Sequence, residues 1–362
     1  MGLNQKQLRE YGITGKPVFD ATKHTHQEWL DFRKTGIGGS DVGAVLGLNK
    51  YTSSLKLYGN KLSLIPDFKG NNSTEWGIKL EPLVRDEFAM RNSEFEVYEC
   101  DFTIQHPDHK IANCNVDGII YDPETKTAGV YEGNTASIYM AKDWNLYYDE
   151  DGNEKYQIPD YYQLQVQWNM GVTGLLWGFV AVLIGGSDYR DIRVEFDQEL
   201  FNIMLAESNK FWNENVLKNI PPPPDGSKSS GEYIKSMYPY SNDVTLDLSL
   251  ENDVLEACEN YKQAMKDEKL VKVRKELAGQ QLKLRLKENG KAICHNHKVN
   301  NMSYPRSTIS SKLIKTYYMS KVIEFSMENK LSKKLENNLR QWIIKFIAEC
   351  TKVTDVRSIK VT

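Results

Sequence analysis

Two acids lie fifteen residues apart: Asp117 in "NVDGII" and Glu132 in "YEGNT". Asp117 opens a turn between strands and Glu132 falls inside the next strand, so both carboxylates can project to one edge of a sheet. An Asp and a Glu placed in this way can hold a hard divalent ion through oxygen ligands. Such an ion polarises a phosphodiester and supplies hydroxide near neutral pH, which is the chemistry of nucleic-acid hydrolysis. Glu81 upstream and Gln165 in "QLQVQ" downstream extend the line of acids and amides. On spacing alone a plain alternative stands beside this reading, because Asp-Gly turns are common and a lone strand acid can simply face solvent.

The elements around these residues predict a mixed fold. "HQEWLDFRKTGIGGSDVGAVLG" reads as a helix, a Gly-rich turn and a second helix capped by Ser40 or Asp41. "STEWGIKLEPLVRDEFAMRN" reads as a helix that starts near Ser73 or Thr74 and buries Trp76, Leu80, Leu83 and Phe88. Short strands follow in "FEVYECDFTIQ", "NVDGIIYD" and "AGVYEGNTASIY", then a helix in "PDYYQLQVQWNMGVTG". A hairpin around Gly185, Gly186 and Ser187 and a helix from Gln198 to Lys218 close this part. Helices, a small mixed sheet and a helix between strands make an α/β or α+β domain.

The four prolines of "NIPPPPDGSKSSGE", residues 219–232, forbid helix and mark a boundary, giving domains of 1–222 and 223–362. In the second domain, Val254, Cys258, Tyr261 and Met265 recur at helical spacing, as in an amphipathic helix or coiled-coil arm that Gly279 could kink. "GKAICHNHKVNNMSYPRST" alternates like a hairpin, "LENNLRQWIIKFIAEC" is helical and "VRSIKVT" ends as a strand, so the region reads as a small α+β accessory domain. Basic runs such as "KLVKVRKELAGQQLKLRLK" read as a solvated helix face, with a DNA track as the alternative.

Composition bounds these readings. Over 362 residues the chain is 40% hydrophobic and 11% aromatic, enough for a sizeable core. Lys and Arg total 46 against 49 Asp and Glu, so a nucleic-acid surface must be a local patch. The five cysteines are scattered without a CxxC pair and suit a reducing compartment. Cys294, His295 and His297 lack a second ligand pair nearby and read as strand surface. No apolar run reaches the length of a membrane span and no secretory signal is visible, so the expected location is the cytoplasm.

Several of these words, in order, carry a family resemblance: "WLDFRKTGIGGSDVGAVLGLNKYTS", "EWGIKLEPLVRDEF", "ANCNVDGII", "YEGNTAS" and "PDYYQLQVQWNMGVTG…FVAVLIGGSDYR". From about Trp29 to Pro224 the sequence resembles the YqaJ-like viral recombinases, kin of phage lambda exonuclease in the PD-(D/E)xK nuclease superfamily. The resemblance implies a restriction-endonuclease-like core. It also implies magnesium-dependent digestion of double-stranded DNA from the 5′ end, with manganese as the alternative ion. Asp117, Glu132 and the main-chain carbonyl of Gly133 would bind the metal, Glu81 would hold a second ion or its water, and Gln165 would orient the attacking water or a ligand acid. Arg33 and Ser40 match the positions that grip the 5′ phosphate, and Trp29 packs its helix. The implied partners are duplex DNA with a free end, a single-strand annealing protein and further copies of the chain, as a trimer, in a phage or prophage system within a bacterial host.

The family signature ends in Glu-x-Lys, whereas this chain reads Glu132, Gly133, Asn134. The missing ammonium would support the attacking water and offset charge on the phosphorane, so its loss would slow cleavage by roughly 10² to 10⁴ fold. Three readings compete: an inactivated variant, a natural departure, or a cation supplied from elsewhere, with Lys79 ahead of Lys142. The alternative to an enzyme is a non-catalytic module that binds DNA ends or another protein on the same fold. More remote is a structural or inhibitory phage protein whose active part is the C-terminal domain.

Overall fold

Strand and helix periods decide which side chains can reach the site. The computed structural model describes residues 2–148, 154–309 and 351–361. The chain divides into two compact units, Met1–Asn242 and Asp243–Thr362.

The first unit opens with α1 (Gln5–Glu10), β1 (Lys16–Asp20), α2 (His26–Arg33), α3 (Gly39–Val45), α4 (Ser54–Lys61) and α5 (Asn72–Arg91). Five strands follow: β2 (Glu96–Tyr98), β3 (Phe102–Gln105), β4 (Asn113–Cys114), β5 (Gly118–Asp122) and β6 (Thr127–Ala136). A short β7 (Leu146–Tyr148) and β8 (Glu154–Tyr156) precede α6 (Asp160–Thr173). The unit ends with β9 (Trp177–Ile184), β10 (Asp188–Glu195), α7 (Gln198–Lys210) and α8 (Lys228–Met237).

The main sheet has five strands in the order β10-β9-β6-β5-β2. β6 pairs parallel to β9, with Glu132 opposite Val180, while the other neighbours run antiparallel. A parallel pair needs a crossover, and α6 supplies it. Alternation along β6 and β9 sends Val130, Val180 and Val182 into a core shared with Val166 and Met170 of α6. The intervening Tyr131, Phe179 and Ala181 pack with Val84 and Phe88 of α5. The first unit is therefore a mixed α+β fold with a mixed sheet between helices.

Several expected details differ. The α5 cap is Asn71, which accepts from the Thr74 N–H at 3.0 Å, in place of Ser73 or Thr74. Phe88 is buried and Leu80 half-buried, but Trp76 and Leu83 are 58% and 60% exposed, because the face of α5 that packs on the sheet runs through Leu80, Glu81, Val84 and Phe88, and Trp76 and Leu83 lie to one side of it. Ser40 is not a cap either. α3 begins at Gly39 after Gly38, and Asp41 reaches back to accept the Gly38 N–H at 2.9 Å.

The chain divides after Asn242 rather than at residue 222. Beyond the prolines, α8 returns to α4 and lays Tyr233 over Gly59, where an added Cβ would lie 2.1 Å from the ring. Ser53 donates its N–H to Ser229 Oγ at 3.0 Å in the same buried contact.

The second unit contains α9 (Asn252–Leu286), β11 (Lys291–Cys294), β12 (His297–Ile309) and β13 (Thr351–Val361), and its three strands form an antiparallel sheet. The β11–β12 hairpin matches the expected one, and α9 runs unbroken through Gly279. Tyr261 and Met265 are exposed on α9, so the predicted stripe covers no core among the described residues. The helix expected over 335–350 lies outside the described residues. Among those residues no helix is long and apolar enough to cross a membrane.

Candidate active site

β5 ends its pairing with β6 at Gly118 opposite Tyr131, so the next residues of β6 lose that neighbour. Asp117, one residue before β5, takes its place: its Oδ2 accepts the Gly133 N–H at 2.9 Å. In an extended strand the carbonyl of a residue leaves on the same side as its N–H, so the Gly133 carbonyl faces this edge too.

Glu132 is 3% exposed and points toward α6. Gln165 Nε2 donates to its Oε2 at 2.7 Å, and Asn169 Nδ2 donates to its Oε1. Gln165 and Asn169 stand one turn apart on α6, which places both amides over one carboxylate. Gly39 makes the neighbouring approach of α3 feasible, because a Cβ there would lie 2.5 Å from Asn169 Oδ1.

Burial and the facing Glu81 push the Asp117 carboxyl up to about 7 despite the Gly133 N–H and Arg85. Burial and the charge of Asp117 raise Glu132 well above the usual carboxylate range, against the pull of the two amides. Glu81, on the sheet-facing side of α5, is raised by burial and by Glu99, while Arg85 lowers it. Three acids are therefore crowded where each resists ionisation of another, and a cation would relieve that crowding.

The donor set fits a hard divalent ion in one respect: Asp117 meets Gly133 at the edge of β6, and its charge bears on Glu132 of the same strand. Among the described residues no three acidic, cysteine or histidine side chains close into a metal cage. That is compatible with magnesium, which commonly takes one or two carboxylates and completes its shell with water and substrate oxygens. Cys294 and His297 sit opposite each other at an exposed hairpin, without a third ligand among the described residues.

Asn134 shares the α6-facing side of β6 with Glu132, two residues on. Its Nδ2 is buried and has no hydrogen-bond partner among the described residues. Lys79 does not fill the gap, since it pairs with Glu75 at 2.5 Å and lies over the Trp76 ring on the exposed part of α5. Lys142 is exposed. The cation whose charge bears on Asp117 and Glu81 is Arg85, one turn beyond Glu81 and ion-paired to Glu99.

Arg33 and Ser40 are brought together, with Arg33 Nη2 donating to Ser40 Oγ at 2.8 Å. The guanidinium also lies 4.8 Å from the Trp29 ring, so Trp29 supports Arg33 as well as its helix. Arg33 and Ser40 line a cleft of about 330 Å³ together with Asp41, Lys56, Asn60 and Phe68. Behind it Lys61, 7% exposed, donates to Asp41 Oδ2 at 2.7 Å and to the Arg33 carbonyl at 2.8 Å. Burial works against ionisation of Asp41, but Lys61 and Arg33 outweigh it and hold the carboxyl below its ordinary range.

Residues 28–176 match the family model described as YqaJ-like viral recombinase domain. The protein YqaJ of Bacillus subtilis (strain 168) is 32% identical over 232 residues, which is 63% of this chain and 68% of that protein. The chain belongs to the YqaJ-like viral recombinase family.

Among solved structures, this family member is similar to LHK-Exo in complex with dAMP, with 22% identity, a TM-score of 0.41, and coverage of 58% of this chain and 96% of that one. LHK-Exo is an alkaline exonuclease from Laribacter hongkongensis. A phage-related exonuclease from Haemophilus somnus 129PT is similar at 11% identity and a TM-score of 0.36, covering 51% of this chain and 96% of that one.

Sequence reading missed Asn169, Arg85 and Lys61, and gave Asp41 only as a helix cap. Two of them carried a signal: Asn169 follows Gln165, and Arg85 follows Glu81, at the four-residue spacing that puts helical side chains on one face. Lys61 carried none, because its partners come from residues 33 and 41 on other elements.

Proposed function

We propose that this YqaJ-like protein is a magnesium-dependent exonuclease that digests double-stranded DNA from the 5′ end in phage or prophage recombination. The observation that carries this reading is half-buried Asp117 bound to the strand that carries buried Glu132, with Gly39, the residue before Ser40, packed against the amides that hold Glu132. Asp117, Glu132 and the Gly133 carbonyl would hold the ion, with Glu81 beside its water or a second ion and manganese as the alternative metal. When bound, the ion would polarise the phosphodiester and lower the pKa of water. Gln165 and Asn169 fix the Glu132 carboxylate, so that it need not reorganise when the ion or substrate arrives. Arg33 and Ser40 offer a guanidinium and a hydroxyl to a terminal phosphate. The digestion would leave a 3′ strand for an annealing protein in the bacterial cytoplasm, and a closed trimer would keep the enzyme on its strand.

A second reading, a DNA-end-binding module with little hydrolysis, is favoured by Asn134, whose side chain brings no charge where the family has lysine. Linear duplex carrying labelled 5′-phosphorylated ends, incubated with magnesium, separates the two. Nucleotides released from the 5′ end, and lost in Asp117→Asn, support the enzyme. End binding without release, in both this chain and Asn134→Lys, supports the module.

A further inference from the structure

The cleft beside Arg33 contains a carboxylate where an anion is expected to bind. Asp41 lines it together with Arg33, Ser40 and Lys56. A free carboxylate there would repel a phosphate and oppose the attraction of the guanidinium. Lys61 stands on the far side of that carboxylate, nearly inaccessible, and bonds its Oδ2 and the Arg33 carbonyl. Asp41 also serves the backbone, because its carboxylate accepts the Gly38 N–H and so shapes the start of α3, where Ser40 sits.

Building on the phosphate reading above, we propose that Lys61 is a positioning and charge-compensating residue of the terminal-phosphate site. It neutralises Asp41 from behind, so that the turn can keep its acidic cap while the cleft remains attractive to an anion. The same ammonium also bonds the Arg33 carbonyl at the end of α2, while Arg33 and Ser40 hold each other through their own hydrogen bond. Ordinary strengthening of the core does not explain the arrangement, because a buried ion pair gives little net stability compared with apolar residues of similar size. The apolar alternative at this position would leave Asp41 to draw on Arg33 alone, the guanidinium meant for the ligand.

The test is an equilibrium competition, with EDTA present and the full chain, between 5′-phosphorylated and 5′-hydroxyl duplexes of one sequence. The unsubstituted chain is expected to favour the phosphorylated end by about tenfold or more, as for a charge-assisted contact. Lys61→Met should bring the ratio close to one. Lys61→Met combined with Asp41→Asn should recover most of it, because the amide still caps Gly38 and no charge is left exposed to the phosphate. A merely structural role for Lys61 would not produce that rescue. If Lys61→Met keeps the preference, or the double variant lacks it, the inference is overturned. If Lys61→Met does not fold, the double variant decides alone: a retained preference supports the inference and a lost one overturns it. An unsubstituted chain without preference overturns the phosphate reading itself, which separates the two failures.

Discussion

The Gly133 N–H donates to Asp117 Oδ2 across 2.9 Å, so the acid before β5 is held by the strand that carries Glu132. The two carboxylates are thus fixed relative to each other by the backbone, in a setting where burial and mutual charge raise both.

That arrangement sets a pH dependence. A buried acid with a raised pKa binds protons more readily folded than unfolded, so its cost is absent below the unfolded value and fully present above the folded one. For Asp117 the window runs from the ordinary aspartate range up to about 7. The metal-free protein should therefore lose stability as pH rises through that window, and magnesium should restore it at the upper end. Denaturant titrations across the window, with and without magnesium, check this, and a profile that Asp117→Asn leaves unchanged would refute it.

Restoring the lysine should increase activity. Asn134 lies on the same strand face as Glu132 with its amide nitrogen buried and unpartnered. Asn134→Lys is expected to raise magnesium-dependent digestion of linear duplex by at least about tenfold. Equal rates for parent and variant would show that the lysine position is not limiting.

Arg85 is expected to supply part of the positive charge at the site. Its guanidinium lowers both Asp117 and Glu81. Arg85→Gln should cut nucleotide release by about tenfold or more and move the acidic limb of the pH–rate profile to higher pH. A rate loss with an unmoved limb would point to the Glu99 ion pair alone.

The docking of α8 should be measurable as stability. Tyr233 is buried over Gly59, and Tyr233→Ala removes a ring from a close-packed seat. A loss of about 3 kcal/mol is expected, read as a lower melting temperature of the first unit by calorimetry. An unchanged transition would argue that α8 belongs with the second unit.

Much of the site was legible before the fold was known, because β6 states its period plainly. Val130, Glu132 and Asn134 alternate with Tyr131 and Gly133, and the two faces of the sheet result. The apolar period of α5 misled at Trp76 and Leu83, since the face that packs on the sheet runs through Val84 and Phe88 and these two residues share a neighbouring face that stays in solvent. The prolines misled for a related reason: they break a helix, but the placement of the chain beyond them is decided by a Gly59 seat far away in sequence. The Lys61 contacts depend on three separate elements meeting, which no local pattern announces.

The missing side chain at Gly39 has one more consequence. It brings the start of α3 against Gln165 and Asn169, the two amides that orient Glu132, while the next residue, Ser40, touches Arg33. Recognition of a DNA end and alignment of the cutting acid would then share one seam with no slack. A mis-seated terminus would then be felt at the carboxylate.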